Sequence, residues 1–307
     1  MEYINIVFNI DKNFVQHCAA TLNSILKTYT GNQIIRFYIV QNDLSEKDKC
    51  NLNKLIINTN HGLYFLDINE SVLNKMPIGE NTISSHITIS TYFRLFLSDL
   101  LPNDVNKVLY LDSDVIVNTS IDNLYSINID NYAIAGIPDK ETNQENNKKR
   151  LMIPLKYCYV NAGVLLMNVE YLRKIDFVKK VRLFVNEHYN KILYHDQDIL
   201  NALLYNEILY LPHKWNMMDC YLYKEPVCNS KYLTEIKSSQ MNPCIIHYAG
   251  YFKPWNIECR NPYRYLYKLA LDGTYWRNWK KSYKLKGPFA IIKYYLKQLL
   301  KGNMYFK

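Results

Sequence analysis

Short apolar runs alternate along the chain with stretches whose apolar residues fall at helical spacing. INIVFN (4–9) is the first run, closed by the polar stop Asp11-Lys12-Asn13. Val15, Cys18, Leu22, Ile25 and Leu26 then recur with the period of a helix. IIRFYIV (34–40) and LYFLDI (63–68) read as further strands. Between them SEKDKCNLNKLI (45–56) begins with Ser45, and Asp48 lies three residues on, close to a capping-box pattern. ISTYFRLFLSDLL (89–101) is predicted as a helix, and KVLYLDSDVIV (107–117) and YAIAGI (132–137) as strands. KETNQENNKKR (140–150) reads as a polar, structure-poor loop, either an active-site lid or a solvated insertion. VNAGVLLMN (160–168) is another buried strand. HDQDILNALLYN (195–206) is predicted as a helix with acidic groups in its first turn, where they suit the dipole. CIIHYAG (244–250) is a strand ending in a His and a Gly.

Strands that alternate with helices predict βαβ units, hence an α/β fold with a mostly parallel sheet. Parallel strands covered on both faces read as continuous apolar runs, as these do. Ligands in such sheets sit beyond the carboxyl ends of the strands.

Composition narrows the class. A chain of 307 residues, 49% hydrophobic and 21% charged, is an ordinary globular protein of one large domain or two smaller ones. Its seven cysteines are scattered with no CxxC, which argues against a disulfide framework or a zinc cluster and for a reducing compartment. MEYINIVFNIDKNF lacks the features of a signal peptide, and no apolar run is long enough to span a membrane. The net charge is +9, and nine of the 37 Lys and Arg fall in residues 276–307, which hold no acidic residue. The rest of the chain has 28 charges of each sign. The expectation is a neutral body with a cationic tail.

Within VLYLDSDVIV (108–117) stand two carboxylates, Asp112 and Asp114. On a continuous strand they would project to the same face. Two like charges so close repel, and a divalent cation removes the conflict; oxygen ligands suit Mg²⁺, Ca²⁺ or Mn²⁺. A turn or cap following KVLYL is the alternative reading.

VLYLDSDVIV resembles the DxD strand of glycosyltransferase family 8, which includes bacterial lipooligosaccharide and lipopolysaccharide galactosyl- and glucosyltransferases and glycogenin. IVFNIDKNF, HITISTYFRL (86–95), YVNAGVLLMN (159–168), YHDQDILNAL (194–203) and HYAGYFKPW (247–255) match in order, so the resemblance covers roughly residues 3 to 260. It implies a GT-A fold: a single Rossmann-like α/β domain, residues 1–265, with a mixed, mostly parallel central sheet. It implies Mn²⁺, with Mg²⁺ as the alternative, bound by Asp112, Asp114 and His247. Asp11, Asn13, His86, Arg94, Asp112, Ser113, Asn161, Ala162, Asp196, Gln197, Gly250 and Lys253 would hold the UDP-sugar donor. Asp196, Gln197, Asp198 and Arg94 would carry catalysis, a retaining transfer of galactose or glucose. An amide at Gln197 is a poor nucleophile, so departure and attack on one face through an ion pair is expected, with Asp198 as the alternative nucleophile. The acceptor would be a glycan or glycolipid, such as lipopolysaccharide core, or a capsular or protein-linked glycan. Ser113, Tyr251 and Phe252 depart from the residues common in relatives, so sugar preference is not transferred. KWNMMDCYLYKEP (214–226) lies where relatives contact the acceptor, but it matches too loosely to assign residues.

Residues 266–307 form the tail. In FAIIKYYLKQLLK (289–301) Lys293, Lys297 and Lys301 recur every four residues among Phe, Ile and Leu. Gly287-Pro288 marks the start. Such a helix suits an anionic membrane surface, reached by residues 276–307 on the inner face of the cytoplasmic membrane. The alternatives are a helix packed on the domain and a nucleic-acid contact; the neutral body argues against nucleic acid.

Overall fold

The structure, a computed structural model, describes residues 3–69, 76, 89–140, 144–285, 287–300, 302 and 304–306. His86 lies outside the described residues. The strands are β1 (Ile4–Asn9), β2 (Ile35–Gln41), β3 (Gly62–Asp67), β4 (Lys107–Leu111), β5 (Val115–Val117), β6 (Ile134–Pro138), β7 (Val160–Asn168), β8 (Ile208–Tyr210), β9 (Met217–Met218) and β10 (Ile245–His247). The α-helices are α1 (Val15–Thr28), α2 (Glu46–Asn53), α3 (Leu97–Leu100), α4 (Asp122–Tyr125), α5 (Gln144–Arg150), α6 (Val169–Lys174), α7 (Phe177–His188), α8 (His195–Leu204), α9 (Leu233–Ser239), α10 (Arg264–Asp272) and α11 (Pro288–Leu300).

Among the described residues seven strands form the main sheet, in the order β3-β2-β1-β4-β7-β6-β8. β1, β2, β3 and β4 are parallel, β7 runs antiparallel to both β4 and β6, and β8 is parallel to β6. The sheet is mixed and mostly parallel, as expected. The apolar runs become strands buried on both faces: Val7, Tyr110 and Leu165 pack into one core layer, Ile6, Phe8 and Leu109 into the other. Ser45 accepts a hydrogen bond from the Asp48 amide and caps α2, as the spacing predicted.

Three expectations change. VLYLDSDVIV is not one strand: β4 ends at Leu111, β5 starts at Val115 in a second sheet, and Asp112–Asp114 form the turn between them. ISTYFRLF winds as a 3-10 helix, Ile89–Phe96, and only Leu97–Leu100 is α-helical. Within the polar segment expected to be structure-poor, Gln144–Arg150 is a helix. That helix turns polar groups inward: the Gln144 side chain donates to the Asp139 and Tyr159 carbonyls and accepts from the Tyr159 amide.

The second sheet, β5-β10-β9, sets β10 antiparallel to β5 and places His247 opposite Val115. Residue 265 lies in the first turn of α10, which rests on α1. There the Asn23 side chain donates to the Ala270 carbonyl and Lys27 to the Leu269 carbonyl. α11 packs inward through Tyr294 and Tyr295, which meet Tyr251 and Phe252. Outward it leaves Phe289 and Leu300 85% and 88% exposed. No described helix is long and apolar enough to cross a membrane.

Candidate active site

β1 and β4 run parallel, so their carboxyl ends open on the same edge of the sheet. Asp11 follows β1 there, and the turn after β4 carries Asp112, Ser113 and Asp114. A cavity of about 560 Å³ lies beside that turn, within the range of small-molecule sites. Of the expected residues, Arg94, Asp112, Asp114, Asn161, Ala162, Asp196, Gln197, His247, Gly250 and Lys253 line it. Asp11, Asn13, Ser113 and Asp198 are not in its lining. The Asp11 carboxylate instead accepts from the Asn13 amide.

Each turn carboxylate gives one oxygen to a protein cation and keeps the other for the cluster. Asp112 Oδ1 accepts from Arg94 at 2.8 Å and from the Tyr110 hydroxyl at 2.7 Å. Asp112 Oδ2 stands 3.9 Å from His247 Nε2. Asp114 Oδ2 accepts from Lys253 at 2.7 Å, and its Oδ1 stands 3.3 Å from His247 Nε2. One ligand atom from each of Asp112, Asp114 and His247 lies within 4.8 Å of the others. Two carboxylates and an imidazole fit a hard or borderline divalent cation. Gly163 closes the rear of the cluster, where a Cβ would come 2.4 Å from His247 Cε1 and 2.7 Å from Asp112 Oδ2.

The charges are tightly matched. Burial alone would raise the Asp114 carboxyl, but Lys253 and His247 outweigh it and hold the group well below the usual carboxylate range. Burial pulls the other way on His247 and Lys253, and the neighbouring carboxylates raise both. Arg94 is buried, donates to the Ala162 carbonyl, and stands 2.9 Å from Asp196 Oδ2. Burial lifts the Asp196 carboxyl to about 6, although Arg94 and the Thr91 hydroxyl pull it down.

Asp196 and Gln197 sit in the first turn of α8. His195 just before them adopts φ 51°, a left-handed conformation rare for a side-chain-bearing residue. Asp198, in the same turn, faces away from the cavity. It is fully buried and accepts two bonds from Arg150, at 2.8 and 3.0 Å. It accepts three more from the Tyr159 hydroxyl and the Leu193 and Tyr194 amides.

Sequence reading missed several wall residues. Asp139 accepts from Gln197 Nε2 at 2.9 Å, and Asp219 accepts from the Gly250 amide at 2.8 Å. Asn216 lies behind His247. Asn216 and Asp219 belong to the loosely matching 214–226 segment, and no local pattern marks any of the three. The tail also reaches the wall. Tyr305 donates to Asp219, and the 304–306 backbone bonds to residues 222 and 224. A second, more apolar cavity of about 700 Å³ separates α11 from the domain and shares Tyr223, Gly250 and Tyr251 with the first.

An α/β sheet whose carboxyl edge carries a cation-ready cluster, two fixed positive side chains and a polar cavity defines a class of proteins that bind ligands at that edge. Comparison narrows the class to one family. Residues 5–259 match the profile described as Glycosyl transferase family 8, and the chain belongs to that family. It is 27% identical over 283 residues to General stress protein A of Bacillus subtilis, covering 90% of this chain and 95% of that one. It is 26% identical to the lipopolysaccharide 1,2-glucosyltransferase of Escherichia coli K12, covering 99% of this chain and 90% of the relative. The solved galactosyltransferase LgtC, in complex with donor and acceptor sugar analogs, superposes with a TM-score of 0.79 at 26% identity, covering 89% of this chain and 96% of that one. The fold is GT-A, and the protein is a glycosyltransferase.

Proposed function

We propose that the protein transfers galactose or glucose from a UDP-sugar to a glycan, with Mn²⁺ held by Asp112, Asp114 and His247, and that the anomeric configuration is retained. The observation that carries this reading is the convergence of those three ligands with Lys253 in one cavity. The relatives act as glucosyl- and galactosyltransferases, which leaves both hexoses in the proposal and favours a lipopolysaccharide-type acceptor.

When bound, the cation supplies positive charge to the donor diphosphate as the leaving group builds negative charge. The protein's own part is positioning. Lys253 Nζ is held between Asp114 and the Tyr248 carbonyl, where it can also meet a diphosphate oxygen. Arg94 is fixed by Asp112, Asp196 and the Ala162 carbonyl, and it holds Asp196 ready to accept sugar hydroxyls. Gln197 has its oxygen occupied by the Ala162 amide and Asn161, so it offers no nucleophile. Asp198 has both oxygens occupied outside the cavity. A double displacement needs a free carboxylate beside the anomeric carbon. These positions therefore favour departure and attack on one face, with the diphosphate taking the acceptor proton.

Asp11, Asn13 and Ser113, at the end of the sheet beside the cavity, are assigned to the nucleotide. We assign residues 1–265 to catalysis. Residues 266–307 are assigned to an anionic membrane surface, because α11 presents exposed apolar side chains beside Lys293 and Lys297. The deciding experiment is UDP release from UDP-galactose and UDP-glucose with and without Mn²⁺. Turnover should require Mn²⁺ and disappear in Asp114→Asn, with the melting profile still cooperative. Metal-independent release from the variant would reject the reading.

A further inference from the structure

A chain of side-chain amides joins His247 to the far wall of the cavity, and its direction can be worked out. A backbone N–H only donates. The Gln197 atom 3.0 Å from the Ala162 amide is therefore its oxygen, Oε1, and Nε2 turns to Asp139. The Asn161 atom 3.0 Å from the Gly163 amide is likewise Oδ1, so Asn161 Nδ2 donates to Gln197 Oε1 at 3.0 Å. The Asn216 atom 2.9 Å from Asn161 Oδ1 must then be the donor Nδ2. Asn216 Oδ1 is left facing His247 Nδ1 at 2.9 Å, so Nδ1 carries the hydrogen. Nε2 is the nitrogen left for a cation, and it points at Asp112 and Asp114. Asn216 is fully buried, and water does not compete for these bonds.

We infer that Asn216 is a positioning residue that couples the metal ligand to the donor wall. Its oxygen selects the His247 nitrogen that binds the cation, and its nitrogen adds a second donor to Asn161 Oδ1 and so helps hold Asn161 against Gln197. The inference rests on the metal and donor reading above. Shell residues that orient a metal-binding His typically matter 10- to 100-fold in affinity or activity.

Two nearly isosteric substitutions separate the functions. Asn216→Leu removes both bonds, so Mn²⁺ affinity of the full chain, measured by titration calorimetry on metal-free protein, should fall about 10- to 100-fold. Asn216→Asp keeps an oxygen for the Nδ1 hydrogen, so Mn²⁺ should bind at least as tightly as in wild type. Its second oxygen meets Asn161 Oδ1, and the two facing acceptors repel and push Asn161, with Gln197 behind it, out of place. The kcat for UDP release at saturating Mn²⁺ should then drop on the order of 100-fold. Wild-type Mn²⁺ affinity in Asn216→Leu, wild-type kcat in Asn216→Asp, or parallel loss of both quantities in both variants would overturn the coupling. Should Asn216→Leu fail to melt cooperatively, Asn216→Asp alone decides. A wild-type protein that binds Mn²⁺ no better than Asp114→Asn would overturn the metal reading, and the coupling with it.

Discussion

Asp198→Asn changes almost no volume but removes a charge at a place where the structure sets a definite cost. Five hydrogen bonds end on this fully buried carboxylate. An amide offers one acceptor, so its NH₂ must face at least one of Arg150, Tyr159, Leu193 or Tyr194. The Tyr159 hydroxyl can rotate to accept, but Arg150 cannot, and its charge is left without a partner. Breaking a buried ion pair from one side costs roughly 3–5 kcal/mol. The Arg150 side chain is 18% exposed, and water softens the loss toward about 3 kcal/mol. At ~2 °C per kcal/mol for a chain of this length, melting should fall by about 6 °C or somewhat more. Arg150→Gln should cost a similar amount, and the double variant less than the sum. Mn²⁺-dependent UDP release, measured well below the melting range, should persist at a reduced rate. Unchanged melting with turnover abolished would refute this reasoning, as would a trapped glycosyl adduct on Asp198. Either result would return Asp198 to the role of nucleophile.

Gly163→Ala puts a methyl against His247 and Asp112, so Mn²⁺ binding by calorimetry should be lost or weakened by more than tenfold, a loss above ~1.4 kcal/mol. Asp196, lifted to about 6, should give kcat/KM an acid limb: as pH falls through that value the carboxyl is protonated and donor binding weakens. The same shift acts oppositely on stability. It favours the fold below the unfolded carboxyl range, and that contribution is lost as pH rises through about 6, so Asp196→Asn should flatten both profiles. For the tail, removing residues 276–307 would also take away Tyr305 and disturb Asp219. Phe289→Ser with Leu300→Ser tests it better: flotation with anionic vesicles should weaken while UDP release is unchanged, and undiminished flotation would reject the membrane assignment.

The parallel half of the sheet was legible because β1, β2 and β4 are buried on both faces and read as unbroken apolar runs. The antiparallel direction of β7 was not, since VNAGVLLMN is equally apolar whichever way it runs. α5 was invisible because helical periodicity is read from apolar residues, and this helix turns Gln144 and Asn147 inward to bond backbone and side chains. The break after Leu111 was hidden by strong β-formers on both sides of the turn. At the site, the expected residues that line the cavity all lie inside recognisable motifs. Asp139, Asn216 and Asp219 were missed, because each gains its meaning only from a partner distant in sequence, Gln197, His247 and Gly250 in turn.

The break in VLYLDSDVIV also answers how two carboxylates can stand there. On one strand they would share a face and repel. In the turn, each directs one oxygen to its own cation, Arg94 for Asp112 and Lys253 for Asp114. Asp196 adds a third negative charge against the two positive ones, His247 not counted. The immediate cluster is then one charge negative, and Asp139 and Asp219 on the same walls outnumber Lys140. Such a cavity repels a bare diphosphate. A divalent cation reverses the sign of the cluster, so the side chains that make the turn stable without metal also make the anionic donor depend on it.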